Sequence, residues 1–208
     1  MLKPRIAVLV SGGGTNLAAL LKAQSDGILK SGEIVLVISS KPGARAIERA
    51  REANIPCAAA DRAQYPSREA FEAELLRLLF KNRIDLIVLA GFLQILSADF
   101  VARYPDRILN VHPSLLPAYC GKGFYGRKVH EAVLAAGERT TGATVHMVNE
   151  IPDGGRILMQ KAVPVLMGDT PDTLQKRVME EAEWKLLPAA AELICARLLR
   201  EWNEGEES

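Results

Sequence analysis

The chain has 208 residues, 49% hydrophobic and 5% aromatic, a composition that supports the packed core of one α/β domain and excludes a disordered chain. Twenty-six Lys and Arg against 25 Asp and Glu leave a formal charge of +1, so there is no global basic field to hold a nucleic-acid backbone. Cys57, Cys120 and Cys195 are scattered without a C-x-x-C pair, which argues against a disulfide framework and a structural zinc site; no apolar run reaches membrane-spanning length, and the expected location is the cytoplasm.

In chain order, residues 5–10 read as a strand that breaks at Ser11-Gly12-Gly13-Gly14 into a helix from Thr15. A strand at 33–38 and helices at 44–53 and 67–81 continue the βαβ rhythm of a parallel sheet. Residues 84–90 (IDLIVLA) are apolar almost throughout, as a strand buried on both faces should be. Ser97 caps a short helix, and 107–111 read as the next strand. From 113 to 127 the prolines and glycines punctuate an aperiodic run that predicts a long, mobile loop. A helix at 128–136 follows, then strands at 142–148 and 157–165 around the turn-rich segment 149–155. Thr170, Pro171 and Asp172 open a helix that continues toward Trp202 with a kink or break at Pro188, and the polar tail 203–208 reads as frayed. The predicted fold is α/β and Rossmann-like: a mostly parallel central sheet with helices on both faces, plus a carboxyl-terminal strand pair and a long helix, in a single domain over 1–208 with halves near 1–100 and 101–208.

The segment Ser11-Gly12-Gly13-Gly14-Thr15-Asn16 joins the first strand to a helix, where bare backbone amides and the helix terminus favour an anion such as a phosphoryl group. A plain tight turn is the alternative. A dinucleotide fingerprint needs glycine at 17, where Leu17 stands, and the second strand ends Ile38-Ser39-Ser40-Lys41 without a ribose-binding acid. Asn110 and His112, two apart on a strand, share one face, and an amide beside an imidazole suits acyl transfer. His146 reads as a packed or supporting group and His130 as part of a helix face, and no spacing among the histidines suggests a metal. Asp153 completes the set if its Asp-Gly-Gly turn folds back on His112, which it would then orient.

The stretches VLVSGGGTN (8–16), SREAFEAEL (67–75), DLIVLAGFLQILS (85–97), ILNVHPSLLP (108–117) and GATVHMVNEIPDGG (142–155) closely resemble the folate-dependent phosphoribosylglycinamide formyltransferases over nearly the full length. The resemblance implies transfer of a formyl group from 10-formyltetrahydrofolate, as co-substrate and without a permanently bound cofactor, to the amine of phosphoribosylglycinamide in purine biosynthesis. It implies Asn110, His112 and Asp153 as the catalytic set, and Ser11, Gly12, Gly13, Gly14, Thr15 and Asn16 at the acceptor's phosphate end. Arg68, Leu93, Gln94, Ile95, Leu96 and Asn110 would line the folate pocket, with Gln94 where many relatives carry arginine. A glutamate near the substrate amine falls at Glu181 or Glu183, with Glu183 favoured. The expected partners are these two small molecules, with neither nucleic acid nor membrane, for a chain acting as a monomer or homodimer. Methionyl-tRNA formyltransferase and formyltetrahydrofolate deformylase share the HPSLLP-type core, but each needs an additional domain for which this length leaves no room.

Overall fold

The computed structural model describes residues 3–206. Its strands are β1 (Arg5–Val10), β2 (Glu33–Ser39), β3 (Cys57–Ala59), β4 (Leu86–Leu89), β5 (Ile108–His112), β6 (Thr140–Met147) and β7 (Ile157–Pro164). They form one sheet in the order β3-β2-β1-β4-β5-β6-β7. The first five run parallel; β6 lies antiparallel to β5, and β7 to β6. Helices α1 (Thr15–Ser25), α2 (Arg45–Glu52), α3 (Arg68–Lys81), α4 (Ala98–Ala102), α5 (Arg127–Ala135), α6 (Pro171–Val178) and α7 (Trp184–Glu206) pack around it.

Side-chain alternation sets the layers. In β1 the even residues Ile6, Val8 and Val10 face a cluster shared with Leu17 and Leu20 of α1, Ile47 of α2 and Leu187, Ile194 and Leu198 of α7. Ala7 and Leu9 point the other way, toward Phe71, Leu75 and Leu79 of α3 and Phe100 of α4. Both faces of β1 and β4 are therefore covered, which explains why neither strand shows a polar face in its sequence. A third cluster joins Val129 and Val133 of α5 to Ala143, Val163, Leu174 and Val178, beneath the antiparallel end of the sheet.

Local chemistry starts the helices where it was expected to. Ser67 accepts a hydrogen bond from the Ala70 amide at 3.1 Å, Ser97 accepts one from Phe100 at 3.1 Å, and Thr170 makes a reciprocal pair with Thr173 ahead of Pro171. Three expectations change. The edge strand β3 was not foreseen, because its three residues carry no alternation and are held by pairing with β2. The interruption in the last helical stretch lies not at Pro188, which sits inside α7, but in a π-helical turn at Met179–Glu183. The tail does not fray after 203: α7 runs to Glu206, while 207–208 lie outside the described residues.

The 113–127 segment, expected to be mobile, is tied down at several points. Leu116 N donates to Thr144 Oγ1 at 3.1 Å, Ser114 Oγ to the Ala118 carbonyl at 2.6 Å, and Tyr119 Oη to Glu138 at 2.8 Å. The Leu116–Pro117 peptide is cis.

The aromatic stack below the sheet gives a stability test. Phe71, 1% exposed, meets Tyr65 edge-on at 5.7 Å and Phe92 face-on at 6.5 Å. Phe71→Ala is expected to cost about 3–5 kcal/mol by urea denaturation, whereas Leu193→Ala, at an exposed site, should cost under about 1 kcal/mol.

Candidate active site

Strand order reverses across β1: the chain leaves β1 for β2 on one side, while β4 and β5 lie on the other. Loops leaving the carboxyl ends of β1 and β4 therefore diverge, and a crevice opens between them. It holds a cavity of about 580 Å³ walled by Gly12–Asn16 after β1, Ala90–Leu96 after β4, Asn110–Pro113 at the end of β5, residues 121–126, His146 and the turn 148–153. Glu183 closes one end.

The glycine turn presents an open face. Gly14 needs its lack of side chain for the fold itself: it lies at φ 69°, and a Cβ there would stand 2.7 Å from the Ala46 Cβ. Gly12 and Gly13 have nothing within 4 Å of such an atom, so the space beside them is left for something other than protein. Helix α1 then begins with no side-chain cap and no acid in its first turn, leaving its amides and partial positive charge to an outside anion. Ser11 is not part of this wall. Its hydroxyl meets Ser40 Oγ at 2.6 Å and accepts from the Leu93 amide at 2.9 Å, bracing the mouth from behind.

Antiparallel pairing of β5 with β6 sets Asn110 opposite His146 and His112 opposite Thr144. Asn110 Nδ2 lies 3.1 Å from His146 Nε2, whose other nitrogen faces the Met147 carbonyl at 2.9 Å. Asp153 reaches in from the turn between β6 and β7, with a left-handed backbone at φ 56°. Its Oδ1 stands 3.5 Å from Asn110 Nδ2, 3.5 Å from His112 Nδ1 and 3.6 Å from His146 Nε2, and Oδ2 accepts from the Gly121 amide at 3.0 Å. Burial alone would raise the Asp153 carboxyl; the hydrogen bond of His146, the charge of His112 and the Gly121 amide outweigh it and hold the group below the usual carboxylate range. His112 Nε2 meets the Tyr119 carbonyl at 2.8 Å, so both its ring nitrogens face acceptors.

His146, buried and bonded to Asn110, packs into the cluster as the supporting group it was expected to be, and the signal for that particular contact was cross-strand register, which a single strand does not reveal. His130 lies buried on α5 outside the cavity wall, and burial, together with nearby His112, pushes its imidazole down to about 4. Leu93, Gln94, Ile95 and Leu96 all line the cavity, with Leu93 and Ile95 exposed and Leu96 buried. Arg68 does not reach it. Its guanidinium pairs with Glu72 at 3.1 Å, and Glu72 in turn accepts from the Ser97 amide at 2.7 Å and from the Ser97 hydroxyl, so Arg68 stands beyond the outer end of the 93–96 wall.

The π-helical turn places the two late glutamates differently. Glu181 is exposed, whereas Glu183 is 6% exposed, faces the cavity and accepts from Asn16 Nδ2 at 2.7 Å. Burial pushes the Glu183 carboxyl up to about 7, against the lowering effect of Asn16. Among the described residues no group of three or more His, Cys, Asp or Glu is placed to hold a metal ion, and no helix is long and apolar enough to cross a membrane.

An amide, two imidazoles and a carboxylate thus share one wall with an open anion site, an arrangement able to stabilise a developing oxyanion and move a proton beside it. Comparison with known proteins points the same way. The formyl transferase family model matches residues 4–191. The chain is 43% identical over 203 residues to the chloroplastic phosphoribosylglycinamide formyltransferase of Arabidopsis thaliana, covering 97% of this chain and 68% of that protein. It is 44% identical over 204 residues to the trifunctional purine biosynthetic protein adenosine-3 of Gallus gallus, covering 98% of this chain but only 20% of the longer protein. The crystal structure of glycinamide ribonucleotide transformylase 1 from Symbiobacterium toebii superposes with a TM-score of 0.87 at 40% identity, over 93% of this chain and 88% of that one.

Two outcomes follow from the geometry. The unfolded Glu183 ionises near its ordinary 4.5 and the folded one near 7, so its own contribution to stability falls as pH rises through that window, while His130, lowered by burial from 6.5 to about 4, contributes in the opposite sense. Glu183→Gln removes only the first contribution, so relative to wild type it should gain roughly 1–3 kcal/mol between pH 4 and pH 8 in denaturant titrations of both proteins at several pH values. Gly14→Ala should cost about 1–3 kcal/mol through backbone strain and contact with Ala46, while Gly13→Ala keeps the wild-type denaturation midpoint but weakens binding of inorganic phosphate by calorimetry.

Proposed function

The chain belongs to the formyl transferase family, and from that premise we propose that it transfers the formyl group of 10-formyltetrahydrofolate to the amine of phosphoribosylglycinamide, giving formyl-phosphoribosylglycinamide and tetrahydrofolate in purine biosynthesis. The observation that carries the reading is the convergence of Asn110, His112, His146 and Asp153 beside a glycine turn whose amides are open to a phosphate. Phosphoribosylglycinamide lays its phosphate at Gly12–Asn16 and its amine toward Glu183. The pterin of the donor lies against Leu93, Gln94, Ile95 and Leu96, and Arg68 is placed only for a part of the donor that extends beyond the cavity.

The amine attacks the formyl carbon, a nitrogen–carbon bond forms, and the carbonyl oxygen gathers negative charge. Protonated His112 and the Asn110 amide stabilise that oxyanion by charge-assisted hydrogen bonds. Asp153 keeps His112 oriented, and the proton lost by the amine passes, directly or through water, to the folate nitrogen as its bond to the formyl carbon breaks. As it stands, Asn110 turns its donor toward His146 and Asp153, and His112 Nε2 is held by Tyr119. Substrate entry must therefore exchange these contacts.

The donor acts as a co-substrate, so the reaction calls for no permanently bound cofactor, and for neither nucleic acid nor membrane. The whole chain acts as one catalytic unit, as a monomer or homodimer, in the cytoplasm. A single sheet carrying loops from both halves to one cavity supports the unit, and three free cysteines accord with a reducing compartment.

Spectroscopic detection of tetrahydrofolate release in the presence of phosphoribosylglycinamide tests the reading. Release that does not depend on the acceptor, with water taking the formyl group instead, would overturn it. His112→Ala and Asn110→Ala are each expected to lower kcat by about a hundredfold or more with an unchanged circular dichroism spectrum.

A further inference from the structure

We propose that Lys122 is a specificity-determining residue whose ammonium binds an oxyanion at the cavity mouth, carried by one of the two substrates as the acceptor's phosphate or the donor's glutamate carboxylate. The inference rests on the reaction assigned above, since that assignment brings two anionic molecules into one cavity. The wall is poorly suited to both. Among the described residues lining it, three carboxyl groups, on Glu150, Asp153 and Glu183, meet Lys122 as the single Lys or Arg side chain. The uncapped start of α1 can take one oxyanion through its backbone amides. A second anion finds Lys122 as its one lysine or arginine partner in the wall.

The neighbouring cations are otherwise engaged. Lys128 is turned onto the Tyr125 ring, 4.7 Å from its centre, and Arg68 is held by Glu72. Lys122 makes no ion pair or hydrogen bond among the described residues, and its side chain is exposed. Its backbone, in contrast, is fixed. Gly121 and Gly123 flank it at φ 82° and 98°, conformations that glycine allows. The Gly121 amide is bound to Asp153, the Phe124 amide returns to the Gly121 carbonyl at 3.1 Å, and the Phe124 ring rests on Tyr119 at 6.1 Å. A flexible cationic arm thus stands on a built turn over the mouth, and the same turn holds the carboxylate of the catalytic cluster. An anion gripped by Lys122 is therefore registered against that cluster.

Calorimetric titration of wild type, Lys122→Met and Lys122→Arg with phosphoribosylglycinamide and, separately, with tetrahydrofolate tests this. Lys122→Met should weaken one ligand about tenfold and leave the other within about twofold, Lys122→Arg should restore most of the loss, and added salt should narrow the gap. A loss confined to the acceptor, and absent with the same acceptor lacking its phosphate, assigns the phosphate. A loss confined to the folate, and absent with a pteroyl ligand lacking glutamate, assigns the carboxylate. Equal affinities in wild type and Lys122→Met, or a loss on both ligands alike, overturn the proposal. Because the readout is binding, a chain that holds both ligands without transferring formyl overturns the assigned reaction and still decides the role of Lys122; failure of wild type to bind either ligand overturns both.

Discussion

A carboxylate lying within 3.6 Å of an amide and two imidazole rings has to be reached from three separate parts of the chain, and Asp153 is where they meet. It comes from the turn after β6, touches β5 through Asn110 and His112, touches β6 through His146, and takes a backbone amide from the segment that follows β5. Desolvating a charge at such a point is tolerated because donors surround it. The reverse dependence is as strong. Two histidine side chains placed by the β5–β6 register and the Gly121 turn all meet that one group, so the loop, the strand pair and the reacting face are coupled through it.

One end of the cavity offers backbone amides and the dipole of α1. Beside the start of α1, bonded to Asn16, stands Glu183, kept uncharged over much of the acidic range by burial, so it does not set a carboxylate charge against an anion held there. Apolar Leu93 and Ile95 line the remaining edge, where a flat ring can lie without displacing tightly held water.

Much of this was legible in the residues. The strand–glycine–helix unit at 5–16 is local, so its conformation follows from its own sequence, and the capping side chains at Ser67, Ser97 and Thr170 act within three residues of themselves. Asn110 and His112 were legible as a pair because strand geometry puts alternate residues on one face. What escaped was fixed by distant partners. His146 joins the cluster through the register of β6 on β5, and β3 exists because β2 is beside it. Ser11 was drawn behind the wall by Ser40 and Leu93, 29 and 82 residues away, and Arg68 was held off it by Glu72, a helix neighbour that is itself anchored by Ser97 from another part of the chain. Pro188 suggested a break on chemistry alone, yet the helix accommodates it once the widened turn has been completed upstream.

That widened turn has a consequence of its own. A π-helical turn is what a single inserted residue does to a regular helix, so which carboxyl faces inward between α6 and α7 is a question of phase. Removing one residue from 179–183 would let the helix run regularly and rotate one flank against the other by about 100°. A length change in this stretch therefore acts as a change of side chain at the Glu183 end of the cavity, and comparison between relatives has to count residues there before it compares their identities.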